Sequence, residues 1–148
     1  MPRIERTARV VWEGNVARGA GSLSAGSTAF AELPYSLATR IGQAEGKTSP
    51  EELLAAAHGG CLTMSLASEL TQGGTPPGLL DVSCRIVMDE VEGQGHQIIA
   101  SYVEAAVAVE GLDDTVLQAA TARADESCPF SSLLKRAGVE VHIATRLA

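Results

Sequence analysis

Between Ser49 and Gln72 the chain carries almost no charge beyond its first few residues. Leu53, Leu54, the alanines at 55–57, Leu62, Met64, Leu66 and Ala67 leave no wide polar face before Glu69. A helix that is apolar all round is a buried helix. This one is too short and too rich in small residues for a membrane span. The pattern predicts a central core helix from Pro50 to about Gln72. Ser49 suits the N-cap, Pro50 the first helical position, and Glu52 completes a capping box. Glu51 and Glu52 favour the positive end of the helix dipole. The run Gly73-Gly74-Thr75-Pro76-Pro77-Gly78 stops the helix. Gly59-Gly60 lies inside it, directly before Cys61. Each glycine costs about 1 kcal/mol relative to alanine. The pair fits either close packing against another backbone or access of something small to Cys61.

Elsewhere the hydrophobic pattern has the period of strands. Residues 7–13, 16–24 and 28–33 read as an antiparallel meander, with a tight turn at Gly14-Asn15 and Pro34 closing the third strand. Residues 35–48 have no clear period, contain Arg40, and read as a long loop. From Leu80 to Glu90, Leu80, Val82, Cys84, Ile86 and Met88 share one face, which assigns Cys84 to the core. His96 to Val109 forms the other half of a hairpin. Asp113 or Asp114 caps a second helix that buries Val116, Leu117, Ala120 and Ala124 and ends near Ser127-Cys128-Pro129. A short helix follows to Arg136, Gly138 stops it, and Val139 to Leu147 is a last strand. The order β-β-β-α-β-β-α-α-β predicts an α+β fold with antiparallel sheet, in a single domain over 1–148.

Charge and composition narrow the function. A net charge of −7 and a pI near 4.9 argue against a nucleic-acid or anionic-membrane partner. Aromatics at 3% leave little for a base-stacking surface. The first residues, Met1-Pro2-Arg3-Ile4-Glu5-Arg6, show no apolar leader, so the expected compartment is the cytoplasm. Thiols stay reduced there, and three cysteines are then either inert or reactive rather than a disulfide framework.

Cys61 and Cys128 are the residues with chemistry to offer. Free cysteine often just fills space in a core, and that reading stays open. The alternative is an attacking and a resolving thiol. The attacking thiol must ionise, apolar burial raises its pKa, and so a cation is needed nearby. Arg40 and Arg18 are the upstream candidates, and Glu51 or Glu52 could hold the arginine. Oxidation of Cys61 by a hydroperoxide would leave a sulfenic acid, which a second thiol condenses to a disulfide. A metal is not expected. His58 and Cys61 could share a helix face, but the other histidines and cysteines lack ligand spacing.

The motifs Ser49-Pro50-Glu51-Glu52-Leu53, His58-Gly59-Gly60-Cys61 and Cys128-Pro129 with its following helix resemble the OsmC/Ohr family of thiol-dependent hydroperoxide reductases. Trp12-Glu13-Gly14-Asn15 through Arg18-Gly19 and Pro34-Tyr35 through Thr39-Arg40 resemble its OsmC branch. The resemblance runs over nearly the whole chain. It implies a peroxidase of oxidative stress defence, acting on organic hydroperoxides and less efficiently on hydrogen peroxide. It maps the peroxidatic cysteine to Cys61, the resolving cysteine to Cys128, the activating arginine to Arg40 and the family glutamate to Glu51. It implies an intertwined homodimer, with antiparallel β-sheets wrapped around long central helices and two active sites at the interface. Electrons would come from a dithiol such as a lipoyl group, with no bound cofactor. Two positions depart from the family pattern. Gly59-Gly60 stands where small alanine-type residues are expected, and Arg18 is a second arginine in the segment where the Ohr branch keeps its own.

Helix geometry adds a constraint. Ten residues at 1.5 Å rise put Glu51 roughly 15 Å from Cys61 along an unbroken helix. Glu51 would then serve the cysteine through the arginine or from a partner subunit. The competing reading is a binding module of the same fold that holds a small acyl or lipid ligand in an apolar cleft, its cysteines being bystanders or a slow redox switch.

Overall fold

The computed structural model describes residues 2–148. Met1, counted above in the leader reading and in the single-domain expectation, lies outside the described residues. The chain divides into two compact units, one ending at Pro50 and one from Glu51 to Ala148.

The first unit is a three-stranded antiparallel sheet in the order β1 (Ala8–Glu13), β2 (Ala20–Ala25), β3 (Leu33–Tyr35), followed by α1 (Leu37–Ile41). The meander is the expected one, but β2 starts at Ala20 rather than residue 16, and β3 at Leu33 rather than residue 28. Thr28 and Glu32 take positive φ values of 66° and 53°, so the backbone turns where a strand was expected. Pro34 is tolerated because β3 is an edge strand. Trp12 and Tyr35 meet at 5.5 Å between ring centroids. Gly21 lies under them, and a Cβ there would stand 2.4 Å from the Tyr35 ring.

The segment expected to be a loop contains α1. Ser36 caps it, accepting from the Thr39 N–H at 3.2 Å, and the Ser36 and Thr39 hydroxyls meet at 2.8 Å. Five helical residues are too few to show a hydrophobic period, which is why the pattern missed them. Arg40 therefore sits in the last turn of a helix and not in a loop.

The second unit is built on α2 (Pro50–Gln72), with the bounds the sequence predicts and no break at Gly59-Gly60. β4 (Leu79–Val91) and β5 (Gly95–Ala108) form a long antiparallel hairpin with a register shift between Val87 and Met88. Gly93 and Gly95 take the positive φ its turn requires. α3 (Asp114–Ser127) is capped by Asp113, whose carboxylate accepts from the Val116 N–H at 2.9 Å. α4 (Pro129–Arg136) follows directly. β6 (Glu140–Leu147) then joins β5 in parallel. This corrects the expectation of a purely antiparallel sheet. The two helices carry the chain back to the other end of the sheet before β6 begins, and a crossover of that length delivers a parallel strand.

Leu62, Leu66 and Leu70 form one stripe of α2. They pack with Val103, Ala105 and Val107 of β5, Leu117, Ala120 and Ala124 of α3, and Cys128. Cys61 and Cys84 pack against the edge of this core. Gly59 allows the approach of β4, since a Cβ on it would lie 3.2 Å from the Cβ of Cys84. Close packing is thus the reason for one glycine of the pair. Gly60 has open space around it.

Candidate active site

Cys61 sits midway along α2, half-buried, and Cys128 lies fully buried between α3 and α4. Cys128 serves both helices. Its N–H donates to the Ala124 carbonyl at 3.0 Å and closes α3. Its Sγ accepts from the Ser131 N–H at 3.4 Å and caps α4. Pro129 is the first residue of α4, where a missing N–H costs nothing. Cys61 packs against the core cluster that holds Cys128, and both Cys128 and the Phe130 backbone N–H lie near enough to act on its thiol. That N–H is one of the first-turn donors that a helix leaves without an internal partner.

Burial pushes the Cys61 thiol up, and the hydrogen bond and nearby charge of Cys128 push the same way. The Phe130 N–H acts in the opposite sense, because it stabilises the thiolate.

His58 lies one turn before Cys61 and is fully buried. Its Nδ1 meets Ser101 Oγ on β5 at 2.7 Å, and its Nε2 meets Ser131 Oγ on α4 at 2.8 Å. Ser101 and Ser131 are themselves fully buried. Cys84 Sγ completes the group at 3.5 Å from Ser101 Oγ. Burial lowers the His58 pKa from its ordinary 6.5, with Asp125 opposing and Lys135 reinforcing the shift. A neutral ring has one donor and one acceptor nitrogen. Two arrangements satisfy these contacts: Nδ1–H donates to Ser101 while Ser131 donates to Nε2, or Ser101 donates to Nδ1 while Nε2–H donates to Ser131. Asp125 on α3 pairs with Lys135 on α4.

A lowered histidine pKa makes stability depend on pH. Between 6.5 and the lowered native value the unfolded chain binds the proton and the native chain does not, so stability rises with pH. Unfolding midpoints in urea are expected to fall as pH drops below 6.5. His58→Leu should flatten that slope in the window just below 6.5, above the carboxylate range. An unchanged slope in the variant would place the pH dependence elsewhere.

Of the residues singled out from sequence, Cys61 and Cys128 are brought together. Cys84 lies at the core, as its strand position implied, and also touches a buried hydroxyl. Glu51 is in the first turn of α2, and the unbroken helix keeps it roughly 15 Å along the axis from Cys61. Arg40 is in the last turn of α1. Arg18 is in the turn after β1, its backbone N–H donating to Asn15 Oδ1 at 2.9 Å. Sequence reasoning missed Ser101 and Ser131. Nothing in the spacing of Ser101 and Ser131 marks them. The one signal in the sequence is the three-residue step from His58 to Cys61, which sets both on one face of the helix. Among the described residues, no group of three His, Cys, Asp or Glu side chains is placed to hold a metal ion.

Two free thiols set against the first turn of a short helix, on an α+β scaffold, define a cysteine-based redox protein. Comparison with known proteins narrows the class. A family model described as "OsmC-like protein" matches residues 42–144. Peroxiredoxin OsmC of Escherichia coli (strain K12) is 33% identical over 132 residues, covering 89% of this chain and 91% of that protein. An organic hydroperoxide resistance protein OsmC from Legionella pneumophila superposes with a TM-score of 0.75 at 19% identity, covering 97% of this chain and 98% of that one. Organic hydroperoxide resistance protein OhrB of Bacillus subtilis gives 0.71 at 22% identity, covering 95% and 98%. The chain belongs to the OsmC-like family, and it is a peroxiredoxin-like enzyme, a peroxidase. No helix of the described residues is long and apolar enough to cross a membrane.

Proposed function

We propose that this protein reduces organic hydroperoxides to alcohols, and hydrogen peroxide less efficiently, with Cys61 as the peroxidatic and Cys128 as the resolving cysteine. What carries the reading is that Cys61 packs against the core cluster holding Cys128, near enough for Cys128 and the Phe130 N–H to act on its thiol. The Cys61 thiolate attacks one oxygen of ROOH. An S–O bond forms, the O–O bond breaks, and the alkoxide leaves and takes a proton. The Cys128 thiolate then attacks the sulfenic sulfur, the S–S bond forms, and hydroxide leaves as water. An external dithiol, such as a lipoyl group, reduces the disulfide by exchange. Such a cycle suits a reducing compartment, the cytoplasm.

A thiol pushed up by burial needs a cation to ionise near neutral pH. Arg40 fills that role in our reading, as an always-charged fork of donors, and Glu51 positions the arginine. Glu51 cannot reach Cys61 of its own helix, which favours the arginine bridge or a partner subunit.

The reading includes one OsmC-like domain per chain and a homodimer with the active sites at the interface. Support comes from the open face of α2. Glu52, Ala56, Gly60, Met64 and Ser68 recur at four-residue steps and are all exposed, Met64 by 76%. A face on which the exposed Met64 stands among the small residues Ala56, Gly60 and Ser68 suits close packing on a second copy. Gly60→Ala separates the cases. In an isolated chain the added methyl has open space and should stabilise the helix by up to about 1 kcal/mol. In a dimer packed on this face it should weaken association, read as a sedimentation shift toward monomer.

The binding-module reading finds no support in the core. The apolar cavity lined by Leu62, Leu66, Val82, Ala124 and Ile143 measures about 10 Å³, room for a single water rather than an acyl chain. The test is consumption of an organic hydroperoxide with excess dithiol. Repeated turnover supports the enzyme. A single stoichiometric reaction, or none above background, would favour a sensor or binder.

A further inference from the structure

His58 has no part in the peroxidase chemistry above, yet it is fully buried and hydrogen-bonded at both ends of its ring. Both ring nitrogens are occupied, and the residue and both its serine partners are fully buried. A polar group this deep is costly unless fully paired, and a fully satisfied buried network fixes geometry.

What it fixes can be read from its two ends. At Nδ1 the partner is Ser101 on β5, part of the sheet. At Nε2 the partner is Ser131, the third residue of α4. The same Ser131 gives its N–H to Cys128 Sγ at 3.4 Å, and the N–H of its neighbour Phe130 lies near enough to Cys61 to favour the thiolate. α4 is only eight residues long. Its far end is tied to α3 through Lys135 and Asp125. Its near end, the end that faces the thiols, is tied to α2 through His58.

We infer that His58 and Ser131 are a positioning pair that sets the first turn of α4, and with it Cys128 and the Phe130 N–H, against Cys61. The inference rests on the reading of Cys61 and Cys128 as the reacting thiols. His58 touches no reacting atom, and Ser131 meets Cys128 Sγ only through its backbone N–H, which Ser131→Ala retains. They act through the placement of a helix end. Burial, which keeps the ring neutral, suits the task, because a neutral ring can accept from Ser131 while donating to Ser101.

The test compares Ser131→Ala with Ser101→Ala. Each removes one hydrogen bond from the same imidazole, but only the first frees α4. Two quantities are read: the pH dependence of Cys61 alkylation, resolved by mass spectrometry, and the rate of Cys61–Cys128 disulfide formation after one equivalent of organic hydroperoxide. In Ser131→Ala the Cys61 pKa should rise by about one unit, as a thiolate donor is lost. Disulfide formation should slow about tenfold or more, since misplacement of about 1 Å is costly. Ser101→Ala should lose comparable stability and leave both quantities within about twofold of wild type. If Ser131→Ala does not fold, His58→Leu/Ser131→Ala leaves no orphaned partner at α4, Ser101 keeps Cys84, and the same two changes are expected. Equal effects from both serine variants, or a folded Ser131→Ala that moves neither quantity, would overturn the inference. Hydroperoxide turnover by the wild type is measured in parallel. Its absence would count against the proposed function, and the alkylation profile would still decide the positioning role.

Discussion

Cys61→Ser is expected to bring hydroperoxide consumption in excess dithiol down to background, a loss of about three orders of magnitude or more. A serine hydroxyl is a poor nucleophile at neutral pH. The substitution is nearly isosteric and the site half-buried, so the fold should survive. The loss would then belong to chemistry rather than to stability. Steady-state consumption of an organic hydroperoxide, with circular dichroism as the fold control, checks both halves. A Cys61→Ser protein that keeps even a tenth of wild-type turnover would move the nucleophile to another residue.

The largest effect on stability is expected from Leu117→Ala. Leu117 is completely buried at the centre of the core, among residues of α2, α3 and β5. Truncation removes its transfer free energy and leaves a cavity, together about 2–5 kcal/mol. For a chain of this size that corresponds to a fall in Tm of roughly 5–15 °C. The neighbours Val103, Val107 and Leu66 come from rigid elements and cannot collapse far into the space. A fall in Tm under about 2 °C would show that this layer is more plastic than its packing implies.

The sequence was most legible where a long period had to be satisfied. α2 has the predicted bounds because a proline, two acidic residues and a Gly-Gly-Thr-Pro-Pro-Gly run leave no other choice. The β4–β5 hairpin follows from the alternation that runs unbroken from Leu80 to Ile86 and from a glycine-bearing turn. The Cys128-Pro129 junction followed from the missing N–H of proline. The short elements were not legible. α1 is stabilised by the Ser36 and Thr39 hydroxyls rather than by an apolar stripe. β3 begins late because two non-glycine residues adopt positive φ, a choice made by the local turn. The parallel pairing of β6 depends on where α3 and α4 deliver the chain, which no local pattern encodes.

The site divides along the same line. Cys61 and Cys128 could be picked out as a pair because each lies beside a helix signal. The buried hydroxyls of Ser101 and Ser131 could not, since they lie 43 and 73 residues from His58 and carry no motif. On chemistry alone Arg40 and Glu51 stand beside Arg18 and Glu52, the family resemblance selects them, and their roles stand as proposals.

The central claim is that Cys61 and Cys128 form one redox pair. It is tested most directly by treating the reduced protein with one equivalent of organic hydroperoxide, blocking free thiols, and mapping disulfide-linked peptides. The account predicts a Cys61–Cys128 bridge with Cys84 free and alkylated. Both thiols of the pair left free, or Cys84 found in the bridge, would contradict it.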